Sequence, residues 1–313
     1  MLKNPLFYAK ILLFGEYGII QDSMGLSIPF NYYKGKLIVS DLTETEQKES
    51  NASLLQFYQY LKGLNDSSEL LVSLNLDALK ADIDKGLSFD SSIPQGFGVG
   101  SSGALVAAIY DKYAINKIEP EKNIQKEDIL HLKGFFGQME SYFHGRSSGL
   151  DPLICYLNLP MLIRSRNDVD TIGLPSENKE GKGAIFLLDS GQPGETQPMV
   201  NIFLEKMKQE GFRKVISEQF KKYNDECIKA FLNHDFAPLF KNLKKLSNVV
   251  LEHFKPMIPH DFHKVWKDGI DTNSYYLKLC GSGGGGFILG FAPDYEKALP
   301  ALKAYKPEVI YTF

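Results

Sequence analysis

Hydrophobic positions along the chain switch between a period of two and a period near 3.6, and the switches mark out the elements. Residues 6–20 are densely apolar, with many β-branched and aromatic side chains, and predict opening β-structure; residues 25–30 and 36–40 read as two further short strands. Residues 52–64 (ASLLQFYQYLKGL) and 76–83 carry apolar residues at helical spacing, and 87–93 returns to a strand. Ser101–Tyr113 is apolar and rich in alanine, which predicts a buried helix starting directly out of a glycine loop. Lys126–His144 opens on Glu127 and Asp128, favourable at a helix N-terminus, and stops at Gly145. The HGRSSGLD stretch that follows reads as a loop. Residues 160–164 and 183–189 read as strands, and the polar PSENKEGKG leading into the second is the candidate linker. Residues 197–254 are mostly helical in pattern. Strands at 275–279 and 287–291, a helix from Asp294 and a strand at 309–313 predict a βαβ-like finish. The pattern predicts an α+β fold in two domains, 1–182 and 183–313, without internal repeats.

Composition narrows the class. At 313 residues, with 43% hydrophobic and 23% charged, the chain has ample core material, and disorder or fibrous repeats are excluded. Lysine plus arginine number 35 and aspartate plus glutamate 38, a net charge of −3, and no basic run stands out. Nucleic acid and anionic membrane are therefore poor partners, and a small molecule or another protein is expected. Cys155, Cys227 and Cys280 are widely spaced and odd in number, which argues against a disulfide framework or zinc site and for a reducing, cytoplasmic setting. The N-terminus has Lys3 and apolar residues, but Lys10, Gly15 and Glu16 interrupt any run before it reaches signal length, so the start reads as a mature first strand. No segment nears the ~20 apolar residues of a membrane span.

The candidate chemistry sits in four segments. The loop Pro94-Gln-Gly96-Phe-Gly98-Val-Gly100-Ser101-Ser102-Gly103 leads into a helix. Glycine backbones can turn their N–H groups toward one point, and a helix N-terminus adds positive potential; together these suit a phosphate, with the serine hydroxyls available to it or to its Mg²⁺. A tight turn is the plain alternative. The second cluster, Gly281-Ser-Gly283-Gly284-Gly-Gly286, lies between two apolar strands and implies close backbone approach to a ligand or another loop, or else a flexible hairpin tip. Glu140 and Asp151, on either side of a glycine-bearing loop, can converge; taken singly, Glu140 reads as a solvated helix residue, Asp151 as a loop or cap residue and His144 as structural. Lys10 in FYAKILLFGE is either a strand-edge residue or the cationic partner of a site, and alone it reads as the edge residue.

In order along the chain these segments resemble the GHMP kinase superfamily. Tyr8-Ala-Lys-Ile-Leu-Leu-Phe-Gly-Glu16-Tyr17 resembles the first family motif, PQGFGVGSSGA the second, and Lys278-Leu-Cys-Gly-Ser-Gly-Gly-Gly-Gly286 the third. Glu140 followed by His144-Gly145, Ser148-Gly149 and Asp151 is similar to the HGxxSGxD pattern of the mevalonate kinase branch. The chain departs from that branch at Tyr8-Ala9-Lys10, Gly15-Glu16-Tyr17 and Arg146-Ser147, where PGK, GEH and Asn-Pro are commoner, and the Gly-Glu-Tyr form is also similar to phosphomevalonate kinases.

The resemblance implies a two-domain GHMP kinase fold, with an N-terminal ribosomal-protein-S5-like α/β domain and a C-terminal ferredoxin-like α+β domain. It implies ATP and Mg²⁺ as cofactors, and phosphoryl transfer to the 5-hydroxyl of mevalonate or a related alcohol. Phosphomevalonate kinase, or a non-catalytic nucleotide- or sugar-binding regulator, is the alternative. By the same resemblance Asp151 takes the substrate hydroxyl proton, while Lys10 keeps Asp151 ionised and stabilises the transferring phosphoryl group. Ser102 and Glu140 ligate Mg²⁺. Pro94, Gly96, Gly98, Gly100, Ser101, Ser102 and Gly103 bind the nucleotide phosphates with support from Gly283 and Gly284, and Glu16, Ser148 and Thr196 face the substrate. A homodimer is compatible with it.

Overall fold

The computed structural model describes residues 5–120 and 124–313; Lys3 lies outside them. The chain divides into two compact units that interleave in sequence: Met1–Lys10, Pro29–Pro94 and Gly100–Leu159 form the first, and Ile11–Ile28, Gln95–Val99 and Pro160–Phe313 the second. The strands β1 (Phe7–Phe14) and β2 (Gly25–Val39) contribute residues to both.

In the first unit β2 pairs antiparallel with β3 (Leu87–Ser91), in a register that sets Gly35 opposite Ser91 and Val39 opposite Leu87. The two short strands expected at 25–30 and 36–40 are one continuous strand. The polar NYYKG stretch between them does not break it, because pairing with β3 is already under way at Gly35, where the Phe89 ring fills the space over the glycine. The helices of this unit are α1 (Thr45–Asp66), α2 (Leu76–Asp84), α3 (Ser101–Tyr113), α4 (Lys126–His144) and α5 (Leu150–Leu157). Asn75 caps α2 by accepting from the Ala78 N–H at 3.0 Å. The buried face of α3, Ala104 to Tyr110, packs on α4 and α5, where Tyr110, Phe136 and Tyr156 meet with ring centroids 5.0–5.6 Å apart.

Helix α5 corrects the reading of HGRSSGLD as wholly loop, for the loop ends at Gly149 and Asp151 lies in a helical first turn. Pro152 is tolerated there because first-turn N–H groups have no intrahelical acceptor, and Asp151 suits the positive end of the helix.

In the second unit Gly25–Ser27 of β2 pairs with β4 (Met161–Ser165), which pairs in turn with β5 (Asp168–Thr171), a strand too short and polar to stand out in the sequence. Then come β6 (Ala184–Asp189), α6 (Thr196–Met207), α7 (Glu210–Val215), a π turn at Ile216–Phe220, α8 (Lys221–Leu232), α9 (Phe236–His253), α10 (Phe262–Thr272), β7 (Tyr276–Leu279), β8 (Phe287–Ala292), α11 (Tyr295–Leu302) and β9 (Glu308–Thr312). The second sheet runs β7-β8-β6-β9, every neighbouring pair antiparallel. Because β8 and β9 flank β6, the β8-α11-β9 passage is the expected crossover, and the strand order is ferredoxin-like. The opening apolar run ends as strand at Phe14 and continues as a 3-10 turn, Gly18–Gln21. Among the described residues no helix is long and apolar enough to cross a membrane, and Cys155, Cys227 and Cys280 are buried thiols.

Candidate active site

In the first unit four elements bring their chemistry-bearing residues to one place. Lys10 comes from β1, Gly100, Ser102 and Gly103 from the start of α3, Glu140 and His144 from the end of α4, and Asp151 from the start of α5. Two close approaches set this geometry. A Cβ on Gly100, itself at φ 84°, would lie 2.9 Å from the Lys10 side chain, and one on Gly103 would lie 2.8 Å from the Asp151 backbone. Glycine at 103 is thus the steric condition for α3 to meet α5 closely enough to hold Asp151 beside its N-terminus.

Lys10 is buried at 3% exposure, and its ammonium lies 2.8 Å from Asp151 Oδ1. This overturns the reading of Lys10 alone as an edge residue: inside an apolar strand its charge is compensated by a carboxylate from another element. Asp151 keeps 40% of its side chain exposed, so it remains open to an incoming molecule.

Glu140 is likewise buried, at 4% exposure, and is no solvated helix residue. Ser102 Oγ donates to its Oε1 at 3.1 Å and Ser147 Oγ to its Oε2 at 2.6 Å. Burial pushes its pKa up to about 8, the Asp151 charge adds to the rise, and the two hydroxyls and Lys10 oppose it. A buried carboxylate whose own hydrogen bonds do not restore its acidity, with a serine hydroxyl against it, is a hard-oxygen donor set of the kind Mg²⁺ takes.

His144 Nε2 lies 2.9 Å from Ser102 Oγ. One hydroxyl hydrogen serves one acceptor, so when Ser102 donates to Glu140 the imidazole donates from Nε2. The covered part of the ring holds His144 below the ordinary histidine range. His144 and Ser147 thus join the cluster although sequence reasoning gave neither a role there. Arg146 points outward and is exposed. Ser148 is exposed, and its Oγ accepts from the Leu150 N–H at 3.4 Å. Ser101 and Pro94 are half-buried at the helix start and the loop entrance.

The second unit holds the other sequence-predicted residues. Gly98, at φ 78°, has no room for a side chain because a Cβ would run into the Cys280 carbonyl; a Cβ on Gly281 would meet the Gly98 Cα at 2.9 Å. The Gly194 N–H donates to Gly96 O at 2.8 Å, and the Phe287 N–H to Phe97 O at 3.3 Å. The second glycine cluster therefore braces segment 95–99 through Gly281 and Gly286, whereas Gly283 packs on Met257, whose carbonyl accepts from the Gly284 N–H at 2.7 Å, and Gly284 packs on the Met199 side chain.

Glu16 is buried and receives Lys278 Nζ on both carboxylate oxygens at 2.6 Å. Lys278, within the apolar strand YLKL, has the same sequence signature as Lys10 and was open to the same argument. The neighbouring Tyr17 hydroxyl donates to Ser282 O at 2.6 Å, and Ser282 Oγ donates to Thr196 Oγ1 at 3.4 Å.

Residues 65–158 match the family model described as GHMP kinases N terminal domain. Among curated proteins, none matches the chain by sequence. Solved structures with similar folds include an L. major mevalonate kinase in complex with R-mevalonate, with a TM-score of 0.65 and 16% identity over 99% of this chain and 95% of that one. A Streptococcus pneumoniae phosphomevalonate kinase in complex with phosphomevalonate and AMPPNP gives 0.63 and 14% over 98% of each chain. A Lactococcus lactis galactokinase complexed with galactose gives 0.65 and 12% over 99% of this chain and 94% of that one. At these identities the likeness is one of fold.

Proposed function

From a chain that carries a GHMP kinases N terminal domain at residues 65–158 and shares the GHMP kinase fold, we propose an ATP-dependent kinase that phosphorylates a small alcohol, with the 5-hydroxyl of mevalonate as the leading acceptor. The observation that carries the reading is the convergence, at the start of α3, of a half-open Asp151 paired to buried Lys10 with a half-buried Ser102 bonded to buried Glu140.

Each member of the cluster has a task in phosphoryl transfer, a reaction that asks for positioning and charge compensation more than for covalent catalysis. Asp151, half open to solvent, orients the acceptor hydroxyl and takes its proton. Lys10 balances that carboxylate, and its ammonium is the fixed positive charge available to the transferring phosphoryl group. Ser102 and Glu140 would hold Mg²⁺, which when bound neutralises phosphate charge. Ser147 and His144 hold Glu140 and Ser102 in place through the two hydroxyls. Backbone N–H groups of Gly96, Gly98, Gly100, Ser101 and Gly103 are the proposed phosphate contacts, with Pro94, which has no N–H to donate, shaping the loop entrance and Gly283 and Gly284 as proposed supports. Glu16, Ser148 and Thr196 are the proposed substrate contacts; each Glu16 oxygen accepts from Lys278 and keeps a second lone pair for a substrate donor. We keep 1–182 and 183–313 as the proposed domains.

Phosphomevalonate is the second acceptor to consider, because Gly15-Glu16-Tyr17 is similar to the form in phosphomevalonate kinases. ADP release measured with mevalonate, phosphomevalonate, galactose and homoserine decides the matter. Fastest turnover is expected with mevalonate. Preference for phosphomevalonate moves the assignment to that acceptor, and turnover of none leaves a nucleotide- or sugar-binding protein without catalysis.

A further inference from the structure

A groove of about 570 Å³ opens in the second unit, lined by Gln219 and Tyr223, by a stripe of α9, and by Ile270, Asn273 and Tyr276. Its volume falls in the range of small-molecule pockets, roughly 300–1,000 Å³. No residue that lines it belongs to the cluster assigned to phosphoryl transfer. Its charge is one-sided: Lys241, Lys244 and Lys245 line it, and no aspartate or glutamate does.

Several exposed lysines elsewhere in the unit meet a carboxylate one helical turn away, as in Lys229–Glu226, Lys264–Asp268 and Lys267–Asp271. On α9 the positions three and four residues from each of the three lysines hold only Ala237, Pro238, Phe240, Asn242, Ser247, Asn248, Val249 or another of the lysines. Like charges at these spacings repel, so the stripe costs helix stability in the absence of an anion. Two of the ammonium groups are nevertheless held in place by neutral groups. Lys244 Nζ donates to Asn273 Oδ1 at 2.6 Å, and Lys245 Nζ stands 5.2 Å over the Tyr223 ring. Beside them Phe240 and Tyr276 lie with ring centroids 6.3 Å apart, an apolar wall against the cationic one.

We propose that this groove binds a small organic phosphate, its phosphate on Lys241, Lys244 and Lys245 and its apolar body against Phe240, Tyr276 and Tyr223. A phosphate monoester, with a charge near −2 and three acceptor oxygens, matches three ammonium donors better than a single carboxylate does. The aromatic wall separates such a ligand from inorganic phosphate. The site is independent of the acceptor that the kinase reaction uses.

Titration calorimetry with 1-naphthyl phosphate, inorganic pyrophosphate and 1-naphthol tests the proposal on the full chain. Naphthyl phosphate is expected to bind with an affinity that falls at least tenfold in Lys241→Gln/Lys245→Gln and weakens as salt rises, while Lys264→Gln on α10 leaves it unchanged. Circular dichroism of each variant shows whether the fold is kept, and Lys244→Gln alone is the second reading should the double variant lose it. Naphthyl phosphate binding that survives the lysine replacements in full, or no binding at all, overturns the proposal. Naphthol binding as tightly overturns the role of the lysines, and pyrophosphate binding as tightly overturns the role of the rings.

Discussion

Replacing Glu140 with glutamine removes one ionisable group at almost constant volume, inside a site where that group is 4% exposed. In the fold its pKa rises from 4.5 to about 8, chiefly through burial, so between those values the folded protein keeps a proton that the unfolded chain has released. Each pH unit in that window then favours unfolding by about 1.4 kcal/mol, and from pH 5 to 7.5 the wild-type protein without Mg²⁺ should lose about 3 kcal/mol through this one group. His144 acts with the opposite sign, because its pKa is lowered and its contribution grows as pH rises toward the ordinary histidine value. It is present in both proteins, so the comparison removes it. Urea unfolding of wild type and Glu140→Gln at half-unit steps from pH 5 to 8.5 gives the two slopes. The variant is expected to be the more stable protein at pH 7.5, and to lack kinase activity. Mg²⁺, which binds the ionised carboxylate, should flatten the wild-type slope and leave the variant unaffected. Equal slopes in the two proteins would refute the assignment of the burial cost to Glu140, and a slope indifferent to Mg²⁺ would refute its role as a ligand.

The Asp151→Asn protein should keep ATP affinity close to wild type while turnover falls by orders of magnitude; near-normal steady-state turnover would show that another group handles the hydroxyl proton. Gly103→Ala sets a methyl group 2.8 Å from the Asp151 backbone, so α3 and α5 must separate; a loss of about 1–3 kcal/mol in denaturant unfolding and a lower kcat are expected, and unchanged values for both would show that the helices have slack there. Lys278→Met takes away the ammonium that both Glu16 oxygens face and should cost about 3–5 kcal/mol by thermal unfolding, most of it recovered in the Lys278→Met/Glu16→Gln double variant; no recovery would place the cost in packing instead of charge.

How legible the sequence is depends on the range over which each feature is decided. Helices α3 and α4 are written locally, in the alanine-rich apolar run after Gly100 and in the acidic first turn and glycine stop of residues 126–145, and both form at the expected bounds. Helix α5 is not, because eight residues opening on Leu-Asp-Pro carry too little periodicity, and it is tertiary packing of the preceding Gly149 against the Gly137 backbone that admits the turn. The strand β2 fails in the other direction, since Asn31 to Gly35 is polar enough to read as a break and only the partner strand holding Phe89 shows why it continues. Charge pairs lie at the far end of this scale. A lysine in an apolar strand announces that a carboxylate must meet it, but Lys10 finds Asp151 at a separation of 141 residues and Lys278 finds Glu16 at 262, and nothing local assigns one carboxylate to one lysine. The sequence therefore states the demand, a buried cation needing an anion, without its answer. The α9 stripe states the converse demand, three cations for which no anion of the chain lines the groove, and that asymmetry is why its answer is sought in a ligand and not in the fold.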